Sequence, residues 1–223
     1  VLLKQSEEIR DFLLKTSVLE WLSDPLCDAV TGRNDSRDVL LNLERGQLFI
    51  VPLDESRQWY RYEHLFADLL RHQCQTAYGI EKIATLHRQA SQWYEDNNLP
   101  DDAIYHILTA QDWDRAVVLI IEHGEKKRQR GEFMTLFHWL QRLPEQVILS
   151  HPQLSIDYIQ YLSMAGQVKA SEAILKNLEK VTEDDDSFKG TIYALQAQMA
   201  WRRHDYPLVE KLAKKALSLF TAE

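Results

Sequence analysis

Glycine and cysteine are scarce in this sequence, and long apolar runs are missing altogether. Seven glycines are scattered over 223 residues. No two lie close enough to build a phosphate-cradling loop, and neither G-x-x-x-x-G-K-[ST] nor G-x-G-x-x-G occurs. H-E-x-x-H and G-x-S-x-G are absent as well, which removes two common hydrolase arrangements. Eight histidines are present, none at metal spacing with a second ligand. Cys27 and Cys74 make no disulfide framework, and they read as small buried apolar residues in a reducing cytoplasm. No apolar stretch approaches the roughly 18 residues that cross a bilayer, and no basic-then-apolar leader opens the chain. The sequence therefore predicts a cytoplasmic protein with no membrane partner, no catalytic residue, no metal ligand and no cofactor of its own. It starts at Val1 and enters helix-like sequence at once, so the expectation is a piece excised from a longer protein.

What is present is average for a globular protein, with 45% hydrophobic and 27% charged residues. The formal net charge is −8, against the needs of a chain that coats nucleic acid by neutralising phosphates. One run goes the other way: Lys126-Lys127-Arg128-Gln129-Arg130. No aromatics interleave it and its flanks are acidic, so it reads as a solvated helix face.

The pattern is mixed up to about residue 78. Ile9, Phe12 and Leu13, then Val18, Leu19 and Leu22, suggest two short helices parted near Thr16-Ser17, with Pro25 interrupting. Ser36 reads as the N-cap of a helix carrying Val39, Leu40 and Leu43, and Gly46 suits its C-terminal end, where positive φ is cheap. Leu48 to Val51 is an apolar, β-branched run closed by Pro52, Asp54-Glu55-Ser56 is turn material, and Gln58 to Tyr62 is a second strand. Together these predict a β-hairpin. Helices followed by a hairpin are the parts of a winged helix. Leu65, Phe66, Leu69, Leu70 and Cys74 then recur at helical spacing, so RYEHLFADLLR (Arg61 to Arg71) crosses from strand to helix.

Beyond residue 79 only helical stripes remain, parted by short punctuators: Asn97 to Pro100, Gln111-Asp112, Leu143-Pro144, Ala165-Gly166 and His204-Asp205. Such linkers demand antiparallel neighbours, and their echoes predict degenerate helix pairs of the tetratricopeptide kind. The fold class expected is mainly α, a winged-helix-like module with a small hairpin followed by a right-handed helical repeat array. The domains expected are 1–78 (winged helix), 79–150 (helical arm) and 151–223 (the start of a repeat region). The acidic run Glu183 to Asp186 lacks the glycine and closing glutamate of a calcium loop and reads as a charged helix N-terminus. Trp93, Trp113, Trp139 and Trp201 fall on or beside apolar stripes and read as core. Tyr158 and Tyr161 face one way on a single helix and are candidates to line a ligand groove.

Two segments, FLLKTSVLEWLSDPLCDAV and LLNLERGQLFIVPLDESRQWYRYEHLFADLLR, resemble the region after the nucleotide-binding domain in transcriptional activators of the maltose-activator type. These are signal-transducing ATPases of the STAND class with a LuxR-type DNA-binding end. LHRQASQWYEDNNLPDDAIYHILTAQDWDRAVVLIIEHG and GEFMTLFHWLQRLPEQVILSHPQL resemble the helical continuation, and the likeness runs over about residues 9 to 175. It implies a regulatory, non-enzymatic middle section that links a nucleotide-binding switch domain to an inducer-sensing helical superhelix. The parent would bind ATP or ADP with Mg and hydrolyse ATP slowly. The implied partners are the chain's own nucleotide domain and an inducer or a protein on the repeats, with DNA reached only through a C-terminal domain. The family motif is Y-R-Y-H-H-L-F, where this sequence has Glu63, and a histidine of related winged helices touches the ADP β-phosphate. By its spacing to Leu65 and Asp68 that histidine falls at position 63. Arg61, Glu63 and His64 are thus the candidate nucleotide-sensing residues. Either His64 or Arg61 takes over the contact, or the protein holds ADP less tightly. The alternative function is a helical-repeat protein–protein interaction module with no nucleotide switch.

Overall fold

The computed structural model describes residues 5–182 and 186–220. Two compact units divide the chain, Val1–Leu119 and Ile120–Glu223.

In the first unit, α1 (Glu7–Thr16) starts at Ser6, whose hydroxyl accepts the Ile9 N–H at 3.3 Å, with Glu7 and Glu8 on the positive end of the helix. The second helix does not lie at Val18–Leu22. It is α2 (Asp24–Thr31), and Pro25 opens it instead of interrupting, because the first turn has no use for the missing N–H. Leu19 and Leu22 are core residues outside any helix. In α3 (Ser36–Arg45) the N-cap is Asp35, and Ser36 is the first helical residue with a buried, unbonded hydroxyl. Nor does Gly46 take the positive φ. It has φ −77, and Gln47 carries φ 51. A Cβ at Gly46 would stand 3.2 Å from the Asn42 carbonyl oxygen, a tight approach that glycine avoids.

The hairpin joins β1 (Ile50–Pro52) to β2 (Tyr60–Tyr62) in the register Ile50↔Tyr62, Val51↔Arg61, Pro52↔Tyr60. Pro52 belongs to the strand. Tyr60 spends both backbone groups on Leu22, at 2.8 Å each, so its pairing with Pro52 is a position where no bond is asked of β1. Leu22 is therefore a one-residue third strand. Asp54 closes the hairpin, its carboxylate accepting the N–H groups of Gln58 and Trp59 and the Ser56 hydroxyl. Those bonds hold it below the usual carboxylate range.

Tyr62 points inward, and its hydroxyl lies 2.7 Å from Thr16 Oγ1, while the Thr16 hydroxyl donates to the Phe12 carbonyl at 2.7 Å. Tyr62 is thus the donor between them, and the bond ties β2 to α1 across 46 positions of sequence. Next is α4 (His64–Ala77), packed on α1 and ended by Tyr78, which donates to Asp11 at 2.6 Å. Burial opposes ionisation of Asp11, yet bonds from Lys15 and Tyr78 carry it below its ordinary value. α5 (Ile80–Asp96) packs on α2 and forms an antiparallel pair with α6 (Pro100–Thr109). The unit boundary falls inside α7 (Trp113–Gln129).

The second unit continues with α8 (Phe133–Gln141), a five-residue α9 (Glu145–Leu149) that periodicity does not predict, α10 (Pro152–Met164), α11 (Val168–Val181), α12 (Asp186–Arg202) and α13 (Tyr206–Phe220). Glu183 to Asp185 of the acidic run lie outside the described residues. The basic run of α7 is not simply a solvated face. Lys127 is buried, donating to Glu132 at 2.6 Å and lying 5.8 Å over the Trp139 ring. Arg128 reaches Asp157 at 2.6 Å and Glu125 at 2.7 Å, and Arg130 faces Glu132. Trp139 is core as expected, but Trp201 is 60% exposed.

One turn recurs through both units. Gln47, Asn98, Gln111, Gly131, Gly166 and His204 all take φ between 51 and 77. After each, the next N–H reaches back five residues to a helix carbonyl: Leu48 to Leu43, Leu99 to Tyr94, Asp112 to Ile107, Glu132 to Lys127, Gln167 to Leu162, Asp205 to Ala200. This bond closes the last helical turn and reverses the chain. Asp112 and Asp205 then cap the following helix through their carboxylates.

Two stability predictions follow from these contacts. Tyr62→Phe leaves the Thr16 hydroxyl bonded to Phe12 and costs about 1 kcal/mol, whereas Thr16→Val strands a buried tyrosine hydroxyl and costs about 1–3 kcal/mol. Urea unfolding should rank them in that order, and the reverse order would refute the assigned donor. In the second unit Asp157 is held up by burial and eased by Arg128. Arg128→Ala should cost about 3 kcal/mol at neutral pH, as for a buried pair that loses one partner. The loss should shrink as pH falls and the stranded carboxyl takes a proton. Urea titrations at neutral and acidic pH check both statements.

Candidate functional site

The strand β2 alternates: Tyr60 and Tyr62 enter the core and Arg61 faces outward. Arg61 makes no ion pair among the described residues. The chain then passes straight into α4. Glu63 occupies the N-cap position, its N–H donating to the Phe49 carbonyl at 2.8 Å and its carbonyl accepting from Ala67 at 2.8 Å. Its carboxylate makes no capping bond. The plain role of a helix cap is therefore carried by the Glu63 backbone, and the side chain stays exposed to solvent. Phe49 reaches this contact with φ 53, a conformation that costs a bulky residue about 1–3 kcal/mol. The surrounding rings hold it there, with Phe66 5.2 Å from Phe49 and 5.8 Å from Tyr62.

His64, the first residue of α4, is 91% exposed, and its Nδ1 lies 3.4 Å from Asp68, which Arg71 also contacts at 3.0 Å. The three form a solvated ladder along one helix face. Arg61, Glu63 and His64 border one cleft of about 800 Å³, with Trp21, Arg71 and Tyr105 on its other walls. Trp21 stands there because the neighbouring Leu22 is the one bridged to Tyr60. The structure thus brings all three sequence-predicted residues together and adds three that periodicity did not single out. Only the fold brings Tyr105, more than 40 positions later in sequence, to the cleft that Arg61 lines. Two guanidinium groups, an imidazole and two exposed aromatic rings can pair with anions and stack on flat groups. Glu20 and Glu63 on the same walls offset part of that positive charge.

In the second unit Tyr161 is buried with its ring 6.2 Å from Phe133 and 6.5 Å from Phe137, and Tyr158 lies 6.1 Å from Phe137. Burial raises both phenols. The recess found between α11, α12 and α13 has other walls: about 380 Å³, floored by Leu175, Met199 and Leu212 and rimmed by Glu172 and Arg203, 3.2 Å apart. Among the described residues no three His, Cys, Asp or Glu side chains are grouped to hold a metal ion, and no helix is long and apolar enough to cross a membrane.

Comparison with known proteins agrees with this architecture. Residues 1–81 match the MalT winged helix domain. The HTH-type transcriptional regulator MalT of Vibrio parahaemolyticus is 31% identical over 217 residues, covering 95% of this chain and 24% of that protein. Its counterpart in Cronobacter sakazakii is 32% identical over 221 residues, 97% of this chain and 24% of that protein. For Klebsiella pneumoniae the figures are 32% over 212 residues, 93% and 23%. The chain spans about a quarter of the length of the curated relatives it matches. It is a MalT-like chain, with residues 1–81 a winged helix domain of the MalT type and the helices that follow similar to the continuing segment of those regulators.

Proposed function

We propose that the chain is the non-catalytic middle section of a signal-responsive STAND-class transcriptional regulator. Its winged helix (1–78) would join a nucleotide-binding switch domain to a helical arm (79–150) and to the opening of an inducer-sensing repeat region (151–223). The parent would carry ATP or ADP with Mg, hydrolyse ATP slowly in the cytoplasm and meet DNA through a separate C-terminal domain. The observation that carries this reading is the likeness to MalT regulators across 95% of the chain, with the winged helix match at residues 1–81. The open cleft bordered by Arg61, Glu63 and His64 supports a contact with the nucleotide domain on that side of the winged helix. The recess between α11 and α13 supports a ligand seat in the repeats, while Tyr158 and Tyr161 would shape its supporting core.

A carboxylate beside phosphate repels it, whereas a hydrogen bond to a charged group contributes ~1.5–3 kcal/mol, on the order of ten- to a hundredfold in affinity. In the intact regulator, Glu63→His should therefore slow ADP release and lower uninduced transcription, and His64→Ala should speed release and raise it. A ligand shifts a switch only by its differential affinity for the two states, so ADP affinity and basal output must move in opposite directions. ADP dissociation and uninduced reporter output for both variants test this. No change in either quantity would reduce the junction to a helix entrance.

The hairpin is not expected to read DNA. Arg57 is committed to Glu44 at 3.0 Å, which leaves Arg61 as the outward cation of β2, and the whole chain carries −8. A gel-shift at ~150 mM salt should show no specific complex, because so few phosphate contacts cannot outlast counterion competition. A submicromolar complex would overturn this.

A further inference from the structure

We infer that the α5–α6 hairpin is a proton-operated joint, closed while His87 and His106 share a single hydrogen bond between their rings and loosened when both imidazoles are protonated. The two Nδ1 atoms lie 2.8 Å apart in the hairpin interface, and both side chains are buried. A nitrogen–nitrogen contact of that length needs one N–H and one lone pair. The closed joint can take a first proton on an Nε2 atom without losing the bond. A second proton must occupy the accepting Nδ1, which breaks the bond and sets two like charges side by side away from water.

Rings and charges of both signs surround the pair, with Glu20 and Asp102 acting on Tyr94. On α5, Tyr94 stacks over His106 at 5.4 Å and 19°, and on α6, Tyr105 meets the His106 ring edge-on at 5.2 Å. From α4, Arg71 and Cys74 line a recess of about 210 Å³ together with His87. The guanidinium is already paired with Asp68 at 3.0 Å, and burial pushes the Cys74 thiol up, which keeps it neutral. Cys27 of α2, on the Tyr94 side, is likewise raised by burial. Arg88, next to His87, is already engaged by Glu81 and Asp112. Asp101 and Asp102 stand in the first turn of α6. Burial raises the Asp102 carboxyl, so it fades as a counter-charge when pH falls.

Arg71 and Tyr105 line both this recess and the larger cleft that holds Arg61 and His64. Loosening α6 displaces Tyr105, and so a wall of that cleft moves with the proton count. The joint itself stands on the hairpin geometry and does not depend on what the cleft binds.

The direction of the pH effect follows from the proton balance. An unfolded chain protonates both imidazoles as pH falls through about 6.5, whereas the closed joint excludes the second proton. The unfolded state then binds more protons, so the stabilisation is complete above that pH and declines below it, approaching about tenfold in the folding constant per pH unit well below pH ~6.5. Urea unfolding of the full 223-residue chain at pH 7.5, 6.5 and 5.5, for the wild type and for His106→Gln, reads this directly. The wild type should lose about fivefold more than the variant between pH 6.5 and 5.5, and parallel losses would overturn the inference. If His106→Gln does not fold, ring-nitrogen NMR of the wild type decides instead. One Nδ1 should stay unprotonated at pH 5.5 while the hairpin is closed, and two imidazolium rings with the α6 and Tyr105 resonances unmoved would refute the joint.

Discussion

The bridge between Leu22 and Tyr60 is the contact on which the first unit turns. It occupies both backbone groups of Tyr60, and that one commitment settles several others. It leaves Pro52 opposite Tyr60 with no bond to supply, which is why a proline can sit inside the hairpin. Because side chains alternate along a strand, it also sends Tyr60 and Tyr62 into the core and Arg61 to the surface. Tyr62 then finds Thr16, and β2 is fixed to α1 as well as to the segment before α2. A slip of one residue would bury a guanidinium and expose two phenols, so the register is strongly specified. The cleft residues are placed by the same constraint, since Glu63 and His64 are the next two residues of the chain.

A second constraint organises the helices. Six of the helix ends put one residue at positive φ and close the helix with a bond reaching back five positions. Of the six residues used, only Gly131 and Gly166 are glycines, and Gln47, Asn98, Gln111 and His204 accept the cost. After all but Gln47, which leads into β1, the following helix starts within two residues, and Asp112 and Asp205 each cap theirs. Short, bond-saturated reversals of this kind leave neighbouring helices no option but to run antiparallel.

Charge is handled in the interior by pairing. The basic run of α7 is matched within its own unit by Glu125, Glu132 and Asp157, so its most conspicuous cluster of cations is mostly spent on structure. Arg57 is spent in the same way on Glu44. Arg61 stands apart, an outward guanidinium beside exposed rings in an open cleft.

The sequence by itself determined the helical stripes, the hairpin, the strand-to-helix crossing at RYEHLF and the winged-helix order, because apolar periodicity and local turn chemistry are short-range and can be read within a few residues. It failed where distant partners overrule local preference. Val18 to Leu22 has a helical spacing, yet the Tyr60 bridge draws Leu22 into a sheet. Ser36 has the chemistry of a cap, but Asp35 takes the position. Trp201 has the look of core and stands in solvent. The cleft was half legible: Arg61, Glu63 and His64 are adjacent in the chain, while Trp21, Arg71 and Tyr105 join them only once α4 and α6 are packed. The meeting of His87 and His106 was not legible at all. Nothing in the spacing of 19 residues announces a 2.8 Å contact, because it is the antiparallel return of α6 along α5 that decides which face of each helix is buried and which rings must share a proton.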